Sequence, residues 1–280
     1  FHENQFTYPE QNEQELDLHY VFTNITTALA SDRVCFNSDF HRTEFLSAAK
    51  EIILRMPDHR PVRQLEEITE RSRIFPQGIS PTSRDRRKKS SPLPTILWSA
   101  RWEFDKNPEL FFEAMRILKQ RGVRFRLNVI GEQLWTVPDV FANSRTAFAE
   151  QINRWGYQEK RTDYEAALAV SDIVVSTAIH EFFVGEVAEA IDAGAYPLLP
   201  YRLAYPELLQ LSERPANRAF FYEGDLESLV GRLEELIALF RDDALWNAGA
   251  PARNAVSRFR WENLVDRFDS ELELLLPGRD

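Results

Sequence analysis

The sequence predicts an α/β fold with parallel sheets, organised in two parts. Three observations carry this expectation. Short β-rich runs alternate with amphipathic helical segments along most of the chain, the pattern of βαβ units. A Pro- and Ser-rich, basic stretch at residues 80–94 interrupts that alternation and divides the chain. The 280 residues, 44% hydrophobic and 28% charged, are enough for two hydrophobic cores.

In chain order, residues 15–30 place Leu16, Leu18, Tyr20, Val21, Ile25 and Leu29 roughly on one helical face. Residues 33–37, Arg-Val-Cys-Phe-Asn, read as a short buried strand. Residues 40–55 form a second amphipathic helix closed by Pro57, and 62–71 add a further helical turn or two. The stretch 80–94 holds Pro81, Pro92, Pro94, four serines and the run Arg84-Asp85-Arg86-Arg87-Lys88-Lys89. It buries too little apolar surface to order itself, so it is expected to be the linker. Beyond it, strands are expected at 95–99, 125–130, 152–156, 173–176 and 196–200, with helices at 108–120, 141–152, 163–170 and 187–193. Helices at 226–239 and 261–276 close the chain. The expected organisation is a first domain at 1–79, a linker at 80–94, a second domain at 95–260, and a helix at 261–280 that packs back.

Several function classes fail on inventory. The apolar runs are short and broken by charges, so no membrane-spanning helix is expected. Phe1-His2-Glu3-Asn4 offers neither the basic nor the apolar region of a signal peptide. One cysteine, Cys35, excludes an intrachain disulfide and a Cys-cluster zinc site. Together these favour a cytoplasmic protein. No G-x-G-x-x-G, P-loop, G-x-S-x-G or H-E-x-x-H motif occurs. The net charge of −10 argues against general nucleic-acid binding but leaves a local basic patch open. The chain opens inside a polar motif with no initiator Met, and an N-terminal part is expected to be missing.

In parallel sheets, ligands bind beyond the carboxyl ends of the strands, which singles out three segments. In the first, Arg101 and Lys106 lie between a strand and a helix start, a good clamp for a diphosphate. A solvated loop with an Arg–Glu pair has the same spacing. In the second, Glu181 and Glu189 lie eight positions apart around another strand-to-helix turn. Carboxylates there suit vicinal sugar hydroxyls, and the amides near Val184 and Gly185 suit a phosphate; a capped helix with exposed acids is the alternative. The third is the polar cluster His2-Glu3-Asn4-Gln5, flanked by aromatics.

These residues resemble a known family. Arg101-x4-Lys106 followed by Glu181-x7-Glu189 on a βαβ frame is similar to family-four glycosyltransferases of the GT-B fold. His2-Glu3-Asn4-Gln5, Phe36-Asn37-Ser38, Pro57-Asp58-His59-Arg60-Pro61, Arg101-Trp102-Glu103, His180-Glu181-Phe182-Phe183 and Leu203-Ala204-Tyr205-Pro206-Glu207 look like the tRNA-queuosine mannosyltransferase family, in its order. The resemblance implies a GT-B-like α/β fold of two Rossmann-like domains with parallel sheets, the N-terminal one incomplete. It implies retaining transfer of mannose from GDP-mannose to queuosine in tRNA-Asp, with no metal or other cofactor. By resemblance, His2, Arg101, Lys106 and Glu181 are catalytic. Arg101, Lys106, Gly131, Glu132, Val184, Gly185 and Glu189 bind the donor. Glu3, Asn4, Gln5, His59 and Arg60 face the acceptor.

Val184 stands where the family usually has Gly. Either its Cβ crowds the donor or the turn shifts by one residue to Gly185. Arg55, His59, Arg60, Arg63, Arg71, Arg73 and the basic run in the linker are consistent with a tRNA-backbone patch, or with a solvated face. Two other readings are a family-four enzyme with another donor or a lipid or polysaccharide acceptor, and a non-catalytic nucleotide- or RNA-binding remnant. Oligomeric state is not legible.

Overall fold

A computed structural model describes residues 18–58, 60–80, 91–134 and 136–276. His2, Glu3, Asn4, Gln5, His59 and the basic run Arg84–Lys89 lie outside these residues.

The first unit is built from α1 (Leu18–Ala30), β1 (Val34–Phe36), α2 (Asp39–Arg55), α3 (Val62–Arg71) and β2 (Ser72–Ile74). Strands β1 and β2 pair in parallel, Val34 opposite Ser72. Along α2 the buried residues are His41, Phe45, Ala49 and Ile53, one per turn, so a single stripe faces the core. Ile25, Phe36, Leu65 and Ile68 complete that core.

The second unit carries a six-stranded parallel sheet in the order β5-β4-β3-β6-β7-β8. Its strands are β3 (Thr95–Ser99), β4 (Arg126–Ile130), β5 (Ile152–Gly156), β6 (Ile173–Val175), β7 (Tyr196–Pro200) and β8 (Phe221–Tyr222). Between them run α4 (Pro108–Gln120), α5 (Asp139–Ala147), α6 (Arg161–Val170), α7 (Gly185–Asp192) and α8 (Tyr205–Leu208). After β8 come α9 (Leu226–Arg241), α10 (Leu245–Ala248), α11 (Ala250–Val256) and α12 (Trp261–Glu273). Every residue of β3 and β7 is buried, as central strands covered on both faces require. The chain runs outward from β3 through β4 to β5, and in the other direction from β6 through β7 to β8. The order therefore reverses between β3 and β6, and their carboxyl ends open a crevice there.

Several expected boundaries move by a few residues. The helix expected at 141–152 ends at Ala147, and β5 opens at Ile152, where the strand at 152–156 was expected. The strand β2 follows α3 without an intervening residue and was not expected.

The two units meet directly. Ser38, the N-cap of α2, donates its hydroxyl to the Phe182 carbonyl at 2.7 Å. The Glu207 carboxylate accepts from the Asp39 and Phe40 backbone N–H groups, at 2.9 and 3.1 Å, so an acid of the second unit caps a helix of the first. The His41 ring stacks on Phe182 at 4.2 Å. Helix α12 returns to the first unit: Arg267 donates to the Ile74 carbonyl, and Phe268 packs edge-on against Phe75.

Candidate functional site

The switch-point crevice has a volume of about 170 Å³ and is lined by the β3 end, the loop after β6 and the start of α7. Its cationic wall follows from local sequence. After β3, residues Phe104–Lys106 form one 3-10 turn, and Asn107 ends it in the left-handed region (φ 48°, ψ 57°). Asn tolerates that conformation, and its side chain then caps α4 by accepting from Leu110 N–H, with Pro108 at the first helical position. This reversal aims Lys106 inward. Its carbonyl accepts from Thr177 Oγ1 and that of Asp105 accepts from Ile179 N–H, both at 2.8 Å, which ties the turn to the loop after β6.

Lys106 is buried. Its Nζ lies 3.0 Å from Asp105 Oδ2, 3.0 Å from Glu181 Oε2 and 3.0 Å from the His180 carbonyl. Burial alone would pull the ammonium down; the Glu181 and Asp105 carboxylates outweigh it and raise its pKa above the ordinary lysine value. Arg101 lines the same crevice and pairs with Glu103 at 3.3 Å, the Arg–Glu pair left open by its spacing.

Val184 is the N-cap of α7 at φ −104°, an ordinary conformation for a residue with a side chain, and it is buried in the main core. The turn does not demand glycine at this position. Gly185 opens α7, and a Cβ there would meet only Phe183 Cε1 at an ordinary 3.8 Å. The first turn of α7, at the positive end of its dipole, thus lines the same crevice as Lys106.

Glu189, one turn further on, is held by Arg161 of α6 at 2.7 and 3.4 Å. This fixes the carboxylate and leaves further lone pairs for hydroxyl donors. Gly131 (φ 154°) brings the β4 end against β3, where an added Cβ would lie 1.7 Å from the Ala100 carbonyl oxygen. Glu132 is exposed, and its backbone carbonyl accepts from Trp102 N–H at 2.8 Å. Gly131 and Glu132 therefore brace the loop that carries Arg101. The cations of the first unit are locally engaged: Arg55 pairs with Glu51, Arg63 with Glu67, and Arg60 donates to the Met56 carbonyl. Arg71 and Arg73 donate to backbone carbonyls.

Residues 80–247 match the family model for group 1 glycosyl transferases, and residues 1–79 match the model described as tRNA-queuosine alpha-mannosyltransferase N-terminal. The chain belongs to the group 1 glycosyl transferases. A relative named tRNA-queuosine alpha-mannosyltransferase, from Drosophila melanogaster, is 33% identical over 74% of this chain and 58% of its own length. The chain thus spans somewhat over half of that relative. Among solved structures, sucrose-phosphate synthase of Thermosynechococcus elongatus superposes with a TM-score of 0.72 at 15% identity, over 98% of this chain and 66% of its own. A glycosyltransferase of Rickettsia africae gives 0.66 at 17% identity, over 97% and 69%. Anabaena HepE, in complex with UDP and glucose, gives 0.68 at 15% identity, over 92% and 68%. These likenesses establish the GT-B fold. These matches agree with the family that the sequence motifs resemble. No described helix is long and apolar enough to cross a membrane.

The structure brings Arg101, Lys106, Glu181, Val184 and Glu186 to the switch-point crevice, whereas Gly131, Glu132, Gly185 and Glu189 are not among its lining residues. Sequence reasoning passed over Glu186, treating the acids here as a pair. Its signal was available: it stands in the first turn of a helix whose start faces the site. Glu186 keeps a solvent-exposed face within the crevice while protein crowds the rest of it. Burial raises its pKa first and the Glu181 charge adds to this, while its own backbone bond and Lys106 oppose. The solvent-open face screens the effect, so its consequences are modest.

A folded-state value above the ordinary one means that this group contributes stability below its ordinary pKa and loses it as pH rises through the folded value. Glu186→Gln should therefore raise the melting temperature slightly at pH 7, with the gain vanishing in acid. It should also tighten nucleoside diphosphate and nucleotide sugar alike, roughly two- to fivefold. Thermal melts at pH 4 and pH 7 with calorimetric titrations check both; a loss of affinity would show that Glu186 serves the ligand.

Proposed function

We propose that this chain is the donor-binding part of a retaining enzyme that transfers mannose from GDP-mannose to queuosine in tRNA-Asp. The observation that carries the reading is the juxtaposition, at the switch point, of Arg101, Lys106 and the α7 N-terminus with Glu181, in a chain whose first 79 residues match the tRNA-queuosine alpha-mannosyltransferase N-terminal model. Arg101, Lys106 and the amides near Val184 and Gly185 offset charge growing on the departing diphosphate, the largest usual term in such a transfer. Glu181 orients the hexose and Glu189 the ribose. By the family resemblance, His2 is assigned to the sugar, and Glu3, Asn4, Gln5, His59 and Arg60 to the acceptor. As the glycosidic bond to the diphosphate breaks, the queuosine hydroxyl bonds to the anomeric carbon on the same face and its proton passes to the leaving phosphate oxygen. No metal is required in this scheme, because cationic side chains supply the positive charge. A protein of this kind works where tRNA is, in the cytoplasm.

The test is calorimetric titration with GDP-mannose and, as the contrasting donor, UDP-glucose. Selective GDP-mannose binding, lost in Arg101→Ala, is the expected result and leads to transfer assays on queuosine-containing tRNA. Selective UDP-glucose binding keeps the site and discards the donor. Binding of neither overturns the reading.

A further inference from the structure

A lysine ammonium has three N–H bonds to give. In this structure Lys106 donates to Glu181 Oε2 and to the His180 carbonyl and forms an ion pair with Asp105 Oδ2, each at 3.0 Å. The cation assigned to a diphosphate is thus already engaged by protein on three sides, and a phosphate oxygen gains a full place beside it by replacing one of the three.

The three are not equally replaceable. The His180 carbonyl is backbone. Asp105 belongs to the same tight turn as Lys106 and is fully buried, and neither of its oxygens makes a hydrogen bond to a described group, so the ion pair with Lys106 is what balances its charge. Displacing it would strand a carboxylate in the protein interior, the costliest of the three exchanges. The Glu181 side chain keeps 18% of its surface open and lines the crevice. Among the described residues, its other oxygen accepts from the adjacent Phe182 N–H at 3.1 Å. Glu181 leaves Lys106 at the lowest cost, because it moves towards solvent and donor hydroxyls, while Asp105 stays behind to hold the ammonium in place and charged.

We propose that Glu181 is an exchangeable ligand of Lys106, displaced by the donor diphosphate onto the hexose and returning to Lys106 once the hexose has gone. This rests on the reading of the crevice as a nucleotide-sugar site. Asp105 is the positioning residue that makes the exchange possible. The exchange gives one carboxylate opposite effects on substrate and product. With the hexose present, Glu181 gains hydroxyl partners in return for Lys106. With only the nucleoside diphosphate present it gains none and competes for the lysine, which favours product release.

Glu181→Gln separates this from a plain charge effect, since Gln keeps the shape and is a weaker acceptor for an ammonium. The measurement is the dissociation constant of GDP beside GDP-mannose, and of UDP beside UDP-glucose, for wild type and variant. The exchange predicts that the nucleoside diphosphate binds about tenfold tighter to the variant. The matching nucleotide sugar binds no tighter or more weakly, so their ratio shifts. Glu181→Ala, which also removes the competing carboxylate, must show the same gain for the diphosphate, and this keeps the test open should the Gln variant fold poorly. An equal change for both ligands, or no gain for the diphosphate in a variant that still binds the nucleotide sugar, overturns the exchange alone. Wild-type protein that binds none of the four ligands overturns the exchange together with the site reading.

Discussion

Lys106→Met is expected to cost about 3–5 kcal/mol of stability at pH 7 and to abolish nucleotide binding. Met fills nearly the same volume, so the loss is one of charge. Asp105, with no exposed surface, and Glu181 would then face each other across a buried space without the ammonium 3.0 Å from each. Breaking a buried ion pair from one side is far costlier than never having made it, because the stranded charge remains. The pH dependence follows from the direction of the shift. The folded protein holds Lys106 above its ordinary pKa, so its contribution is complete below that value and is lost only as pH rises through the higher folded value. At pH 7 the wild type therefore has the full benefit. In the variant, adding Glu181→Gln removes one of the two stranded charges and should recover part of the deficit. Denaturant unfolding of wild type, Lys106→Met and the double variant at pH 7 measures this. A deficit that the second substitution leaves untouched would assign the role of Lys106 to packing.

Much of this arrangement is legible in the sequence because strand ends and helix starts are punctuated. Pro108 and Gly122 bracket α4, and Thr95–Ser99 and Tyr196–Pro200 stand as uncharged runs, so these elements are read to the residue. Placing them fixes which loops meet at the switch point, where Arg101, Lys106 and Glu181 line the crevice; Glu189 is not among its lining residues. The failures have local causes. Phe141, Phe148 and Ile152 keep a helical period across Ala147–Gln151, so the pattern carries the helix through a turn that the backbone makes. Helix α3 passes straight into β2 with no Gly or Pro between them, and β2 has only three residues over which an alternation could show. The occupancy of Lys106 is not legible at all. It depends on a backbone carbonyl at position 180 and on the burial of Asp105, and spacing encodes neither. Glu207 likewise reads as part of a motif, and only the fold reveals that it caps a helix of the other unit.

Gly131→Ala should be nearly as damaging as loss of Lys106, by a route that involves no charge. The residue sits at φ 154°, where a side chain is strained whatever the space, and the new Cβ would fall 1.7 Å from the Ala100 carbonyl oxygen and 2.7 Å from its carbon. Both obstacles are backbone, so no rotamer change relieves them. Strain of about 1–3 kcal/mol adds to a similar cost for forcing the strands apart. At about 2–4 °C per kcal/mol for a chain of this size, the melting temperature should fall by roughly 10 °C. The displacement has a direction. Ala100 N–H bonds to the Ile130 carbonyl and Trp102 N–H to that of Glu132, so the segment between them, which includes Arg101, moves with Ala100. Donor affinity should therefore fall even in molecules that remain folded at low temperature. Gly185→Ala is the control. It adds the same methyl beside the same crevice, 3.8 Å from its nearest neighbour and with no positive φ, and should shift stability by under about 1 kcal/mol. If the two variants melt together, the close approach of β4 to the β3 loop does not hold the site. If Gly131→Ala alone loses both stability and donor binding, the glycine that sequence reasoning assigned to the donor acts on it through the position of Arg101.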